Sequence, residues 1–424
     1  MLIRPFKAVR PQADIADQVA ALPYDVYDRA EAAAAVEGKP LSFLNIDRPE
    51  TQFAPDADMY ADEVYAKGRE LLETRIADGT YVSDESPCFY LYELVMDGRS
   101  QVGIVACCVV DDYLGGTIKK HENTLEKKER DRIRHIDALD AQTGPIFLTY
   151  RDNASVDELV ARARTHDPLY DFVAEDGIAH RVWAIAGTAD VAALADAFSA
   201  VPAAYIADGH HRAASAVKVG LKRRGEHPDY TGEEEFNFFL SVLFPASQLA
   251  ILPYNRVVRD LNGASVEEFL GELEERYEIL HVQETPLEPI DKGAAALYMQ
   301  GKWYGLGVRP EFENDHPVDG LDASLLQNLV LKPLLGIGDP RTSERIEFVG
   351  GIRGLQALER RVRVLDASRS ADEIAERGPA AAFALYPTAI DELLAVADAG
   401  LLMPPKSTWF EPKLRSGLFI HRLS

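Results

Sequence analysis

Blocks of hydrophobic and polar residues along the chain predict a succession of helices and strands. Two apolar runs, 89–95 and 101–111, flank Asp97-Gly98, a dipeptide that favours a tight β-hairpin turn. Further strands are predicted at 145–150, 181–186, 203–206, 236–244 and 249–252. Helices are predicted at 28–36, 56–78, 123–139, 156–164 and 188–198.

The same alternation restarts after Tyr254. Helices are predicted at 266–276, 324–335, 355–362 and 390–399, and strands at 279–282, 346–349 and 381–385. A further hairpin is predicted within 296–308, around Gly301. Strands and helices alternate throughout, so we predict the α/β class (α/β or α+β) with mixed sheets. We expect two regions, residues 1–250 and residues 251–424, the second an α/β region without an assigned role.

The charge of the chain limits its partners. The 424 residues include 69 acidic and 45 basic side chains, which gives a net charge of −24 with neutral histidines. Such a surface repels phosphate backbones, and this argues against broad nucleic-acid binding. A small anionic ligand in a local basic pocket remains compatible with it.

The cysteines and the apolar segments indicate a cytoplasmic protein. Cys88, Cys107 and Cys108 show no Cys-x-x-Cys spacing, which excludes a disulfide framework and a cysteine zinc site. We predict that the last two, which lie in an apolar strand, are buried. A chain poor in disulfides fits a reducing compartment. The N-terminus lacks an apolar signal segment, and prolines and polar residues interrupt the most apolar stretch, 238–254, so no membrane helix is expected.

The sharpest candidate site is a strand–turn–helix segment, residues 205–216, with the sequence YIADGHHRAASA. Gly209 permits a tight turn, and the helix that follows aims its free N–H groups at one point, which suits an anion. His210, His211 and Arg212 add donors, and the arginine can grip a phosphate bidentately. Asp208 could cap the helix. It could instead hold a metal–nucleotide complex or take a proton from a hydroxyl group.

A second candidate is a basic island in this acidic chain, residues 119–124, with the sequence KKHENT. A helix that starts near its end would place Lys128, Arg132 and His135 near one face. The alternative for that helix is an ordinary solvated face, since acidic residues interleave with the cations. Glu122 beside His121 does not form HExxH, because no second histidine follows at the required spacing.

The remaining motifs are less specific. Pro23-Tyr24-Asp25 either lines a cleft or forms an ordinary turn, and residues 403–410 could form a lid or a docked tail. The chain contains no Walker A sequence, kinase glycine-rich loop or GxSxG elbow. Any phosphoryl transfer would therefore use a different phosphate cradle.

Several motifs together resemble a bacterial family, the domain-of-unknown-function family numbered 1015. They are RPFKAVRP with PYDV, KKHENT, DRIRHIDAL with QTGPIF, YIADGHHRAA, FVGGIRGL and MPPKSTWFEPKLRSGLFIHRL. Members of the family are often labelled ParB-like. The DGHHR turn is similar to the phosphate-binding turn of the ParB/sulfiredoxin superfamily, and within it resembles that of the free-serine kinases, which phosphorylate serine with a nucleotide and magnesium.

This resemblance implies a fold and roles for individual residues. It implies a ParB/sulfiredoxin-like core within residues 1–250. Asp208 matches the aspartate of the motif, a candidate base for the serine hydroxyl, and Glu122 matches the catalytic glutamate. The phosphate- and nucleotide-binding residues would be Lys120, His121, Gly209, His210, His211 and Arg212. The cofactors implied are ATP or ADP with Mg²⁺.

The residues and the resemblance converge on three hypotheses. The first is a nucleotide-dependent kinase, a phosphotransferase with an alcohol group as acceptor, acting on free L-serine or a similar hydroxy compound. The second is a ParB-like nucleotide-binding regulatory protein without kinase activity. The third is a binding protein that uses the same anion pocket without turnover.

Overall fold

Two units make up the computed structural model, which describes residues 1–424. The first contains residues 1–249 and 412–424, and the second contains residues 250–411. The division expected from the sequence assigned 412–424 to the second region. The structure places this tail in the first unit, because His421–Arg422 pairs with Ala141–Gln142 and Ile420 bridges to Val9.

The strands are numbered in chain order. They are β1 Ile3–Arg4, β2 Val9–Pro11, β3 Tyr81–Ser83, β4 Phe89–Met96, β5 Arg99–Val109, β6 Ile118–Lys119, β7 Ala141–Gln142, β8 Ile146–Tyr150, β9 Tyr170–Val173, β10 Ala179–Ile185, β11 Ala204–Asp208, β12 Phe238–Pro245, β13 Ala250–Leu252, β14 Tyr254–Val258, β15 Tyr277–Gln283, β16 Ala294–Met299, β17 Lys302–Val308, β18 Ile346–Gly350, β19 Ala381–Leu385, β20 Trp409–Glu411 and β21 His421–Arg422.

The helices are numbered in the same way. They are α1 Ala16–Val19, α2 Arg29–Val36, α3 Leu44–Asp47, α4 Asp62–Ala77, α5 Val110–Leu114, α6 Glu126–Leu139, α7 Ala154–Ala163, α8 Thr188–Ser199, α9 His210–Glu226, α10 Val266–Glu274, α11 Asp322–Leu326, α12 Leu355–Ala367, α13 Ala371–Arg377 and α14 Ile390–Asp398. Short 3₁₀ turns lie at Ala13–Ile15, Tyr24–Val26, Pro49–Gln52, Glu235–Asn237, Ala246–Gln248, Pro310–Phe312 and Gly351–Arg353, and a π-helical turn at Gln327–Leu331.

A nine-stranded mixed sheet organises the first unit. Its order is β6-β11-β8-β12-β5-β4-β10-β9, and β1 pairs with β5. β11 runs parallel to β6 and antiparallel to β8, whereas β12 runs parallel to β8 and antiparallel to β5. The β4–β5 hairpin is confirmed: Asp97 and Gly98 both have positive φ, 52° and 79°, as a type I′ turn requires.

Helices α6 and α9 pack together in the first unit and determine where the candidate site lies. α9 contributes small residues to the apolar core of the first unit, among them Ala213 and Ala216, which are almost completely buried. Ser215 Oγ donates to the Glu129 carbonyl of α6 at 3.2 Å. Cys107 and Cys108 are free thiols with no exposed surface in β5, as predicted.

The second unit is built on a six-stranded sheet in the order β15-β17-β16-β19-β14-β18. All its pairings are antiparallel, and the predicted hairpin around Gly301 is formed by β16 and β17. The predicted helix 324–335 is shorter, because α11 gives way to a π-helical turn at Gln327.

The mixed α/β class predicted from the sequence is confirmed by these two sheets and their helices. None of the helices combines the length and the apolar character that crossing a membrane requires.

Candidate functional site

The turn between β11 and α9 begins the site. β11 ends at Asp208, and Gly209 adopts φ +92°, a left-handed conformation that glycine adopts without strain. A Cβ at Gly209 would lie 3.0 Å from Nε and Nη2 of Arg212, so the guanidinium folds back closely over its own turn. The predicted strand, turn and helix are therefore present, with α9 starting at His210.

The start of α9 carries no side-chain cap. Gly209 occupies the N-cap position, and the first helical turn contains no acidic residue. The interpretation of Asp208 as a helix cap is therefore wrong. Its carboxylate instead accepts from Arg212 Nη2 and from Lys413 Nζ, both at 3.4 Å. A helix N-terminus without a side-chain cap leaves N–H groups and a positive dipole end available to an anion.

Asp208 is held as a carboxylate by its two cationic partners. Burial raises its pKa, but the ammonium of Lys413 and the guanidinium of Arg212 outweigh burial, and the pKa lies well below its ordinary value. A carboxylate with a lowered pKa is a weak proton acceptor near neutral pH. Asp208 is thus better suited to holding cations and a hydroxyl group in place than to removing a proton.

Arg212 points inward and is largely occupied. Its side chain is only 10% exposed, and Nη1 donates to the Pro145 carbonyl at 2.7 Å. With Nη2 directed to Asp208, a bidentate grip through both terminal nitrogens is not available in this arrangement. Nε is buried without a hydrogen-bond partner.

The KKHENT segment meets the turn at the edge of the sheet. β6 pairs in parallel with the start of β11, and residues that follow β6 contact α9. The backbone N–H of His121 donates to His210 Nε2 at 3.5 Å, and that of Leu125 donates to His211 Nε2 at 3.0 Å. The structure therefore brings together the two motifs that the sequence singled out separately.

Glu122 lies beside the first histidine of α9. Its Oε2 is 3.9 Å from His210 Nδ1, and its side chain is 35% exposed. Because His210 Nε2 accepts the backbone N–H of His121, the ring proton of neutral His210 belongs on Nδ1, which faces Glu122. Lys120, an exposed residue, contributes positive charge near His210.

Two buried histidines occupy the centre of the site. The rings of His121 and His210 meet edge to face at 4.5 Å. Burial lowers the pKa of His121 to about 4, and burial together with His121 puts the pKa of His210 well below its ordinary value. Both rings are therefore neutral at pH 7. Neither nitrogen of the His121 ring has a hydrogen-bond partner, and both are buried.

The titration of His121 predicts a pH-dependent loss of stability. The unfolded chain takes up a proton near pH 6.5 and the folded chain only near pH 4, so acidification between these values favours unfolding. We expect His121→Phe, which keeps a ring but cannot titrate, to lose about 2 kcal/mol less unfolding free energy than the wild type from pH 7 to pH 5. Urea unfolding at both pH values measures this difference.

The exposed His166 provides the control for this titration. His166→Phe makes the same substitution at an exposed side chain and should follow the wild type at both pH values. Equal acid-induced losses in the wild type and in His121→Phe would contradict a neutral, buried His121.

Part of α6 is buried, contrary to the alternative of a solvated face. Arg132 and His135 are 7% and 2% exposed, whereas Lys128 is exposed. Arg132 pairs with Asp131 at 2.7 Å, and its guanidinium carbon lies 4.0 Å from the centre of the Tyr24 ring. Of the three residues that helical spacing predicts near one face, Arg132 and His135 therefore lie in the interior and Lys128 lies on the surface.

Lys413 is a site residue that sequence reasoning missed. It reaches Asp208 from 205 positions further along the chain. The only signal was its place in the closing motif EPKLRSGLF, to which the resemblance gave no role. The fold of the tail creates this contact between residues distant in the chain, and local sequence spacing does not predict it.

One carboxylate of the site has the chemistry of a magnesium ligand. No group of three or more His, Cys, Asp or Glu side chains is arranged to hold a metal. Mg²⁺ commonly uses one or two protein carboxylates together with phosphate oxygens and waters. Glu122, which is partly exposed beside the uncapped helix, has the right chemistry for one such ligand.

The family assignment is supported by a direct match. A family model described as "Protein of unknown function (DUF1015)" matches residues 3–324. The chain belongs to the DUF1015 family. The matched part of this DUF1015 chain contains both motifs of the site, while Lys413 lies beyond it. No curated protein matches the chain.

Solved structures show only distant likenesses to this DUF1015 protein. SbnI with a C-terminal truncation from Staphylococcus aureus has 12% identity and a TM-score of 0.35, covering 72% of this chain and 82% of that one. A free serine kinase in complex with AMP has 15% identity and a TM-score of 0.32, covering 72% and 86%. A conserved hypothetical protein from Pyrococcus furiosus has 13% identity and a TM-score of 0.31, covering 73% and 93%.

Proposed function

We propose that this protein is a nucleotide-dependent kinase that transfers a phosphoryl group to the hydroxyl of a small molecule, free L-serine or a similar compound. One observation carries the proposal. The uncapped N-terminus of α9, an anion site by its geometry, lies beside a partly exposed carboxylate, Glu122, at the point where two histidines and Asp208 meet. An anion site with an adjacent carboxylate is the minimum that phosphoryl transfer to a hydroxyl needs.

The nucleotide phosphates bind at the first turn of α9. Backbone N–H groups of the first turn of α9 donate to the phosphate oxygens, and the Nδ1–H of His210 adds a neutral donor. Lys120 supplies positive charge from the adjoining segment. His121 and His211 shape this phosphate site. The His121 ring packs against His210 at the start of the helix, and His211 Nε2 accepts the backbone N–H of Leu125 in the facing loop.

The two carboxylates have different roles. Glu122 orients the acceptor hydroxyl and takes its proton, because it is partly exposed beside His210 Nδ1. Asp208 keeps Lys413 and Arg212 in place, since its lowered pKa makes it a poor base. If a magnesium ion binds with the nucleotide, it would neutralise charge on the phosphates, and Glu122 would be a carboxylate able to hold it.

Donor consumption tests this proposal. Purified protein is incubated with magnesium and ATP, ADP or CTP, with and without L-serine, glycerate or ethanolamine as acceptor. We expect one donor to be consumed only when a hydroxy acceptor is present, and Asp208→Asn to slow that reaction. Nucleotide binding without any acceptor dependence would contradict the kinase and favour a nucleotide-binding regulatory protein.

A matched control separates the site from general effects of charge. Asp137 pairs with Lys222 at 2.6 Å and with Arg223 at 3.5 Å, both near the far end of α9. Like Asp208, Asp137 is a carboxylate paired with a lysine and an arginine, but it lies away from the turn at the start of α9. Asp137→Asn therefore removes a similar ion pair outside the site. We expect this variant to retain wild-type turnover.

A further inference from the structure

A small polar cavity lies next to the turn, on the inner side of Arg212. Its lining includes Tyr24, Arg132, Thr143, Arg212 and Ser416, and its volume is about 30 Å³. That volume holds only one or two oxygen-sized groups. It belongs entirely to the first unit of the chain.

A larger cleft adjoins this cavity. Tyr24 and Arg132 line both spaces, and the cleft has a volume of about 180 Å³. Lys128, Tyr65 and Glu50 are among its other lining residues. A space of this size accommodates a molecule with about as many atoms as an amino acid.

Two residues that line the small cavity carry buried donors without partners. The hydroxyl of Tyr24 and Nε of Arg212 are each buried and make no hydrogen bond. Tyr24 is 9% exposed and the Arg212 side chain 10%. Buried polar groups are almost always satisfied, so a pair of unpartnered donors lining one cavity points to a hydrogen-bond acceptor that occupies it.

The Tyr24 hydroxyl is fixed in its position by its surroundings. Arg48 Nη1 donates to the carbonyls of Tyr24 and Tyr27 at 2.9 and 2.8 Å, which holds the turn that carries the tyrosine. Arg132 stacks over the Tyr24 ring at 4.0 Å. Preorganised donors of this kind recognise a ligand with little loss of conformational entropy.

The groups around the cavity favour an oxygen atom that accepts hydrogen bonds. Arg132 and Arg212 both line it, and each is already paired with a carboxylate, Arg132 with Asp131 and Arg212 with Asp208. Asp47 also lines the cavity, and its Oδ1 accepts from Thr143 at 2.8 Å. The occupant would therefore meet two unpartnered donors beside paired charges, and a carboxylate or phosphate oxygen can accept from both.

We propose that Tyr24 and Arg212 form a subsite for the carboxylate of the acceptor, so that the acceptor is a small hydroxy acid whose body lies in the adjoining cleft. This rests on the kinase function proposed above. Arg212 links the subsite to the turn, because its Nη2 donates to Asp208 while its side chain lines the cavity and its Nε has no partner. The nucleotide phosphates already have the start of α9, which leaves this pocket to the second substrate.

Direct binding tests the subsite without requiring turnover. Isothermal titration and saturation-transfer NMR compare L-serine, glycerate and inorganic phosphate with serinol, in which a hydroxymethyl group replaces the carboxylate of serine. Each is measured with and without ADP and magnesium. We expect at least one of the two carboxylates to bind and serinol not to bind.

Two tyrosine variants locate the binding. Tyr24→Phe removes only a hydroxyl that has no partner, so the fold is retained, and it should weaken carboxylate binding by about tenfold or more. The affinity for ADP should not change. Tyr65→Phe is the control, because Tyr65 lines the same cleft but its hydroxyl donates to Asp131 at 2.7 Å. It should bind the carboxylate like the wild type.

The outcomes distinguish this inference from the proposed function. If the protein binds phosphate but neither carboxylate, and Tyr24→Phe abolishes that binding, the assignment is overturned. The pocket would then bind the phosphate donor. Equal carboxylate affinities in the wild type and Tyr24→Phe would also overturn it and leave the pocket to water. Tyr24-dependent carboxylate binding without any phosphoryl transfer would support the subsite and overturn the kinase.

Discussion

Glu122→Gln is expected to reduce acceptor-dependent donor turnover by about 10²-fold or more, the usual range for loss of a positioned proton acceptor. The amide has the same size as the carboxylate and keeps the side chain beside His210 Nδ1. It cannot take a proton or contact a magnesium ion as an anion. We therefore expect kcat to fall while the nucleotide still binds, since the uncapped start of α9 is unchanged. Initial rates and nucleotide titration measure the two quantities separately.

Glu126→Gln is the control for this experiment. Glu126 is an exposed glutamate of the same segment and is the first residue of α6. Its substitution removes the same charge from the same region without changing the carboxylate beside His210. Equal losses in the two variants would show that the effect comes from general electrostatics and would contradict the role of Glu122.

Gly209→Ala is expected to have the second largest effect. An alanine at φ +92° costs about 1–2 kcal/mol of backbone strain. Its Cβ would also lie 3.0 Å from Nε and Nη2 of Arg212, so the buried guanidinium, which donates to Asp208, would have to shift by a few tenths of an ångström. We expect nucleotide binding to weaken by about tenfold and turnover to fall further, because both the helix start and the ion pair are displaced. Titration with ADP and steady-state rates measure these effects.

Gly232→Ala separates strain from the loss of the site. Gly232 has φ +97°, close to the value at Gly209, but a Cβ there would meet nothing within 4 Å. Both variants should lose unfolding free energy to backbone strain, Gly209→Ala the more because of its contact with Arg212, as urea unfolding measures. Only Gly209→Ala should bind the nucleotide more weakly. Normal binding by Gly209→Ala would exclude the turn from the phosphate site.

Local sequence patterns were sufficient to predict the backbone elements that carry the site. The apolar run that ends at Asp208, the glycine and the cationic end of the helix predicted β11, the turn and α9, and the structure contains all three. These features follow from chain-local physics: a glycine can adopt a positive φ, and helices favour cations at their C-termini. The Asp97-Gly98 hairpin was predictable for the same reason.

The contacts that give the site its character are long-range, and they were not predictable. Lys413 reaches Asp208 only because the last strand of the chain pairs with β7 and carries the tail into the first unit. The inward turn of Arg212 depends on the Pro145 carbonyl, which another strand connection supplies. The burial of Arg132 depends on the Tyr24 ring, contributed from the start of the chain. Helical spacing cannot distinguish such a residue from a solvated one.

The most direct test of the central claim is to identify the product by ³¹P NMR. Wild-type protein is incubated with magnesium, the preferred nucleotide and L-serine, with Glu122→Ala and Asp208→Ala in parallel. A phosphate monoester resonance that requires serine, and that both substitutions suppress in folded protein, is the result we predict. Free orthophosphate alone, formed equally with and without serine, would contradict phosphoryl transfer to a hydroxyl.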